Sequence, residues 1–185
     1  MDLTLDEFSK WMTILNKKIN THIEYLNRLG DNFNDPECGN KLLHALNQIT
    51  NYLNCNDDYN LTSALNQTSI IFSNENNPLC SLLGTAFLQM SKRSVDTREI
   101  GELLNAATLS IPDNNKMMRD IWLLLTNTVK NNELSPKVIN ETIKNVSDQK
   151  NQISDYLNQE KLNLICPNVI VSGYIFLSLF ETEEA

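Results

Sequence analysis

The densest group of side chains that could bind an ion lies in residues 30–39, Gly-Asp-Asn-Phe-Asn-Asp-Pro-Glu-Cys-Gly. Asp31, Asp35 and Glu37 place three carboxylates on one short segment, and carboxylate oxygens suit hard cations such as Mg²⁺. A helix start directly after them could also receive a phosphate. The same residues equally suit an ordinary turn, in which Asp35 caps the next helix and Pro36 takes its first position. The residue types alone leave both interpretations open.

Other polar turns give weaker indications of chemistry. The turn at residues 74–78 contains no glycine, so a loop that encloses phosphate with backbone N–H groups is not expected there. Residues 113–116 bring Lys116 to a helix start, where it suits either a phosphate contact or a solvated position. His22 and His44 fall near apolar helix faces without an evident nucleophile or acid beside them, so no catalytic triad is predicted.

The cysteines are predicted to be ordinary reduced thiols. No Cys-x-x-C pair occurs, and structural zinc sites usually draw their ligands in close pairs. The four positions are Cys38, Cys55, Cys80 and Cys166.

The elements that must position these residues are helices, because apolar residues recur at steps of three and four along the chain. The first predicted helix covers residues 8–29, with a capping box formed by Thr4 and Glu7 and an end at Gly30. The tail from Val169 to Phe180 is apolar nearly all round and is predicted to be a central helix. No long alternation of period two indicates a strand.

Further helices are predicted from caps that precede each apolar stripe. The stripes run over Leu42–Leu53, Leu61–Phe72, Leu79–Met90, Ile100–Ala107, Met117–Val129 and Val138–Val146, and the spacing of the last leaves open an extension to Ile153 and Leu157. Their predicted starts are Asp35-Pro36, Asp57 or Asp58, Asn77-Pro78, Asp96 or Thr97, Pro112-Asp113 and Ser135-Pro136. The sequence therefore predicts an all-α fold of about eight helices in a single domain, residues 1–185.

Composition excludes several classes of function. The net charge is −8 and the 15 Lys and Arg residues are scattered, whereas a nucleic-acid surface needs clustered cations. The longest apolar segment, Val169–Phe180, is too short to span a bilayer. Asp2, Asp6 and Glu7 stand where a signal peptide would carry positive charge, so a cytoplasmic protein is expected.

Four segments together resemble the L subunit, the nucleotide-binding subunit, of bacterial phosphotransferase-dependent dihydroxyacetone (glycerone) kinase. Residues 82–92, Leu-Leu-Gly-Thr-Ala-Phe-Leu-Gln-Met-Ser-Lys, are similar to the family's helix after its glycine-rich loop. Residues 114–122 are similar to its G-[DE]-K-T-M-x-D-x-W motif, and residues 24–39 to its Y-L…G-D-x-D-H-G motif. Tyr156-Leu157 and Cys166-Pro167 fall where the family has Y-L-G-E-R…D-P-G. The segments follow in one register over nearly the whole chain.

The resemblance implies an eight-helix antiparallel barrel with a nucleotide at one end. In the family, three aspartates hold two Mg²⁺ ions that bridge the phosphates of ADP or ATP. The matching positions here are Gly30, Asp35 and Glu37, so Asp35 and Glu37 are the candidate metal ligands, with Asp31 one residue out of register.

The nucleotide-contacting positions of the family are mostly changed. The survivors, and thus the candidate cofactor-binding residues, are Lys116, Met118 and Gly39. The glycine-rich phosphate loop is replaced by residues 76–81, Asn-Asn-Pro-Leu-Cys-Ser. The metal-loop histidine corresponds to Cys38, and the D-P-G aspartate and glycine correspond to Cys166 and Asn168. By contrast, the helix-packing residues Leu82, Gly84, Phe87, Ile121 and Trp122 resemble the family.

This pattern favours a degenerate, non-catalytic binding or regulatory module that docks on a substrate-binding (K-type) subunit or a paralogue. Asp35, Glu37 and Lys116 are the charges that would steer such docking. Two alternatives stay open. One is an active subunit that passes phosphate from a nucleotide with Mg²⁺ to dihydroxyacetone on its partner. The other is an apolar ligand or peptide bound at an open end lined by Leu79, Met117, Leu164 and Ile165.

Overall fold

The structure is a computed structural model that describes residues 2–55, 60–155 and 166–184. Nine α-helices lie in these ranges, and the only strand-like pairing there is an isolated bridge between Asp2 and Glu99. A 3₁₀ turn, Asp113–Asn115, precedes α7. The helices are α1 (Leu5–Thr21), α2 (Ile23–Asp31), α3 (Cys38–Asn54), α4 (Leu61–Asn74), α5 (Pro78–Arg93), α6 (Ile100–Ser110), α7 (Lys116–Lys130), α8 (Pro136–Asp155) and α9 (Pro167–Glu184). The all-α prediction is confirmed.

The first predicted helix is two helices in the structure. Its capping box is confirmed: the Glu7 N–H donates to Thr4 Oγ1 at 3.2 Å, and the Thr4 N–H donates to Glu7 Oε2 at 2.7 Å. The helix breaks at His22, however, whose ring stacks on Tyr174 of α9 with centroids 5.0 Å apart. α2 ends at Asp31, one residue past the predicted end at Gly30.

The other helix starts are partly as predicted. Asn77 caps α5 with Pro78 at its first turn, as expected. Asp35 does not cap α3, which begins at Cys38 after a turn, and α6 begins at Ile100 rather than at Asp96 or Thr97. The structure gives α4 a start at Leu61 capped by Asn60. The predicted start at Asp57 or Asp58 and the extension to Leu157 lie outside the described residues.

The helices pack in a closed ring in the order α1, α3, α4, α5, α6, α7, α8, α9 and back to α1, while α2 packs on α3 and α9. Short connections between sequential neighbours that pack together make those neighbours antiparallel. This arrangement agrees with the helical barrel that the resemblance implies.

The predicted central position of α9 is confirmed, since it packs against α1, α2, α7 and α8. Two tryptophans bond to it: Trp11 Nε1 donates to the Ile175 carbonyl oxygen at 3.0 Å, and Trp122 Nε1 donates to Ser172 Oγ at 2.9 Å. Buried indole N–H groups need such partners, so both bonds fix how α9 sits in the core. Within the described residues, none of the helices combines the length and apolar character that spanning a membrane requires.

Candidate functional site

The segment between α2 and α3 folds tightly over Gly30. The carbonyl oxygen of Gly30 accepts from the Phe33 N–H at 2.8 Å and from the Asp35 N–H at 2.9 Å. Asn34 adopts the left-handed conformation that this turn requires, with φ of 59°. A Cβ atom at position 30 would overlap the Asp35 carbonyl oxygen and lie 3.0 Å from Cys38 Cβ. The loop as folded therefore has no room for a side chain, such as a metal-binding aspartate, at this position.

The carboxylate of Asp35 is engaged inside the protein. Its Oδ2 accepts a short hydrogen bond from Asn77 Nδ2, and its Oδ1 lies 3.5 Å from Lys41 Nζ. Only 19% of the Asp35 side chain is exposed. Asp35, one of the two candidate metal ligands, therefore already contacts an ammonium and an amide group.

Asn77 joins this loop to the start of α5. Its Oδ1 accepts from the Cys80 N–H at 2.9 Å, as an N-cap does, while its Nδ2 donates to Asp35. Pro78 contributes no N–H to the turn. Residues 76–81 therefore form a capped helix start rather than a loop that encloses phosphate.

The remaining acidic side chains of the loop are at the surface. Glu37 and Asp31 are exposed. In the described part of the chain, no three His, Cys, Asp or Glu side chains are arranged to hold a metal ion. With position 30 closed and Asp35 engaged, these residues do not fit the two-Mg²⁺ site of the resemblance.

Two thiols are buried beside Asp35. The pKa of Cys38 is raised to about 12, chiefly by burial and then by the Asp35 carboxylate, while a hydrogen bond with Asn77 opposes the rise. Burial likewise raises the pKa of Cys80 to about 12, with smaller contributions from Cys38 and Glu75. All four cysteines lie in the described ranges and none forms a disulfide. Cys166, at the start of α9, lies near enough to Cys38 to contribute to the rise of its pKa.

A cavity of about 320 Å³ opens at the starts of α7 and α9 and reaches α8. Asn168 Nδ2 donates to Asn115 Oδ1 at 3.3 Å across it. It is apolar at Met118, which is buried, and polar at the amides. Its lining residues are Asn114, Asn115, Lys116, Met117, Met118, Asp120, Val146, Cys166, Asn168 and Val169. Since Cys166 lines the cavity and also lies near Cys38, the cavity and the Asp35 loop occupy the same end of the ring.

The predicted cofactor-binding residues occupy two places. Lys116 and Met118 both line the cavity, but Lys116 is 77% exposed and pairs with Asp120 at 2.5 Å on its own helix. Gly39 lies elsewhere, in the contact between α3 and α2, where a Cβ atom would come within 2.7 Å of the Ile23 carbonyl oxygen. The Gly39 N–H donates to Asn27 Oδ1 at 2.8 Å.

Sequence reasoning missed three residues that organise this end. Asn27 caps the start of α3, because its Oδ1 accepts hydrogen bonds from the backbone N–H groups of Gly39 and Asn40. Lys41 pairs with Asp35, and Glu75 pairs with His44. The spacing of Asp35 and Lys41, six residues apart across a helix start, gave no signal of the pair.

No protein-family model matches the sequence. A whole-chain relative is the ADP-binding subunit DhaL of the PTS-dependent dihydroxyacetone kinase of Lactococcus lactis, 25% identical over 189 residues. The similarity covers 97% of this chain and 98% of that subunit. Taken with the helical ring and the four similar segments, it identifies this chain as a DhaL-like relative.

Proposed function

We propose that this chain is a non-catalytic, DhaL-like binding or regulatory module that has lost the site for a magnesium–nucleotide complex. Its relative is named as an ADP-binding subunit of a kinase, which supports a nucleotide-binding ancestry. The observation that supports the loss is the engagement of the Asp35 carboxylate by Asn77 and Lys41.

The chemistry of Mg²⁺ explains why this observation matters. The ion needs near-octahedral oxygen ligands at about 2.0–2.1 Å and is usually bound through one or two carboxylates. An ammonium 3.5 Å from Asp35 Oδ1 repels a cation at that carboxylate. Glu37 is exposed, and position 30 has no side chain to complete the set. Because phosphoryl transfer relies on positioning and electrostatics, these losses compound one another.

The partner we propose is another subunit of a dihydroxyacetone kinase, of the substrate-binding (K-type) class, or a paralogue of this chain. The end that contains the Asp35 loop and the cavity is the proposed contact. Of the three charges expected to steer docking, Glu37 and Lys116 are exposed, whereas Asp35 has internal partners. The first two are therefore the better candidates.

A second candidate function is an active subunit that binds ADP or ATP with Mg²⁺ and phosphorylates dihydroxyacetone on its partner. The whole-length similarity to an ADP-binding subunit and the cavity at Lys116 and Met118 favour it. It requires the Asp35 loop to rearrange when the nucleotide binds.

A third candidate is a binder of an apolar ligand or peptide. Met117 lines the cavity. Leu79 is buried in the first turn of α5, two residues after Asn77. Leu164 and Ile165, which were expected to join them, lie outside the described residues.

A reconstituted transfer assay tests the proposal. The purified chain is mixed with a bacterial dihydroxyacetone-kinase substrate subunit, ADP, Mg²⁺, dihydroxyacetone and a phosphotransferase-system phosphate donor, with the Lactococcus DhaL subunit, which is named as PTS-dependent, as the positive control. We expect product formation at the background rate. Turnover that depends on this chain would contradict the non-catalytic assignment and support the second candidate.

Docking is tested separately by co-purification with the same substrate subunit. We expect binding that is weakened in the Glu37→Gln, Lys116→Met variant. Equal binding of the native chain and the variant, or no binding by either, would remove this face as the contact.

A further inference from the structure

We propose that Lys41 and Asn77 serve as a built-in substitute for a metal ion, so that the Asp35 loop is held against α5 without a bound metal. This inference deepens the proposed function and rests on it. A chain that bound Mg²⁺ through Asp35 would have no use for an internal counter-charge there.

The first step of the argument concerns the two oxygens of Asp35. A carboxylate that is 19% exposed needs partners for its charge. Lys41 Nζ supplies a positive charge 3.5 Å from Oδ1, and Asn77 Nδ2 supplies a hydrogen-bond donor to Oδ2. Together they do what a bound cation would do, because they neutralise the carboxylate and fix its direction.

The second step concerns Asn77, a residue that is 3% exposed and whose side chain has a partner at each end. Its Oδ1 is held by the Cys80 N–H at 2.9 Å, so the amide nitrogen must be the group that faces Asp35. Residues 35 and 77 are far apart in sequence, and their bond joins the α2–α3 loop to the start of α5. An aspartate at position 77 would still cap α5 but would set two carboxylates against each other.

The third step concerns the neighbouring charges. Glu75 precedes α5 and pairs with His44, so it does not compete for Lys41 in this arrangement. The ammonium of Lys41 also lies close enough to Cys80 to oppose the rise of that thiol's pKa. Lys41, whose side chain is 31% exposed, therefore lies beside Asp35 and near Cys80.

The test is an exchange of donor and acceptor between positions 35 and 77, followed by urea denaturation without Mg²⁺. We expect Asn77→Asp to lower the folding equilibrium constant by about tenfold or more, the range for a hydrogen bond to a charged group. The double variant Asp35→Asn, Asn77→Asp restores a donor opposite a carboxylate and should recover most of that loss. If the stability losses of the single variants Asp35→Asn and Asn77→Asp simply add in the double variant, the proposal is wrong.

Asn60→Asp is the matched control. Asn60 caps α4 through the same contact, with its Oδ1 accepting from the Ser63 N–H at 2.9 Å, and it is exposed. We expect Asn60→Asp to leave stability almost unchanged. If Asn77→Asp is no less stable than Asn60→Asp, the Asp35–Asn77 bond does not hold the loop and the proposal is wrong.

Addition of Mg²⁺ gives an independent measurement. The melting temperature of the native protein should not change with millimolar Mg²⁺, whereas that of Asn77→Asp, with its paired carboxylates, should rise. Stabilisation of the native protein by Mg²⁺ would contradict the substitute role. Turnover that depends on this chain in the transfer assay would contradict the proposed function, whereas stabilisation of the native protein by Mg²⁺ contradicts the substitute role, so the two failures are distinguishable.

Discussion

Gly30 determines what the loop between α2 and α3 can contain. In the family pattern this position holds an aspartate, yet here the Asp35 carbonyl oxygen occupies the space that a Cβ atom would need. Restoring the missing carboxylate by one substitution would therefore disturb the loop before any ion could bind.

The Gly30→Ala variant tests this packing. We expect it to lower the free energy of unfolding by about 2 kcal/mol or more, because backbone rather than a flexible side chain blocks the methyl group. Urea denaturation measures the loss. Gly173→Ala is the control, since the atom it meets is the terminal methyl of Ile143, which can rotate away. Equal stability of the two variants would show that the loop yields at little cost.

The buried thiols predict how stability depends on pH. Cys38 and Cys80 have a pKa of about 12 in the folded chain against an ordinary value of 9.0. A pKa that folding raises stabilises the protein fully below the unfolded value, and this contribution is lost as pH rises from 9 towards 12. We expect urea denaturation to give a free energy of unfolding that falls over this range.

Variants separate these thiols from other alkaline effects. With each variant referred to its own stability at neutral pH, Cys80→Ala should lose less stability in alkali than the native chain does. Cys55→Ser, at an exposed position, should follow the native curve. A Cys80→Ala curve that coincides with the native one would contradict the assignment.

Single residues also show which features of the site the sequence predicts and which it does not. Asn77 was predicted as a cap because its type and the following proline are local signals, and the cap is confirmed. The bond from its other end to Asp35 depends on how two distant helices meet, and no spacing rule reports that. The metal-ligand and nucleotide roles of Asp35, Glu37, Gly39, Lys116 and Met118 stay predictions.

At the scale of helices, prediction failed where a tertiary contact overrides a local pattern. Apolar residues continue at helical spacing from Ile19 to Ile23, so the sequence gives no sign of the break at His22. There the ring stacks on Tyr174 of α9, a partner distant in sequence. The start of α3 shows the same effect, because Asn27 of α2 caps it in place of the local Asp35.

The Asn27→Ala variant tests that long-range cap. Removing Oδ1 leaves the N–H groups of Gly39 and Asn40 without their acceptor, and loss of a cap costs about 1 kcal/mol. Chemical denaturation should show a loss of that size. Asn51→Ala, an exposed position on α3, should leave stability nearly unchanged. A loss no greater than that of Asn51→Ala would mean that α3 starts independently of α2.

At the scale of the whole molecule, the helical class of the fold was predictable because apolar stripes at helical spacing recur along the chain and the tail that forms α9 is apolar nearly all round. The order of packing, which closes from α9 back to α1, follows from contacts that the stripes do not encode. Similarity over nearly the whole length of a DhaL subunit is consistent with that ring. The ring and the nucleotide chemistry are separable, since the residues that pack helices resemble the family while those expected to touch nucleotide are mostly changed.

The most direct measurement is isothermal titration calorimetry of the purified chain with ADP or ATP in the presence of Mg²⁺. The Lactococcus DhaL subunit, named as ADP-binding, is the control under identical conditions. Because the Asp35 carboxylate is already engaged and residues 76–81 form a capped helix start, we expect binding no tighter than about millimolar, or about 4 kcal/mol. Micromolar affinity for the magnesium–nucleotide complex would contradict the loss of the site and establish the chain as a nucleotide-binding subunit.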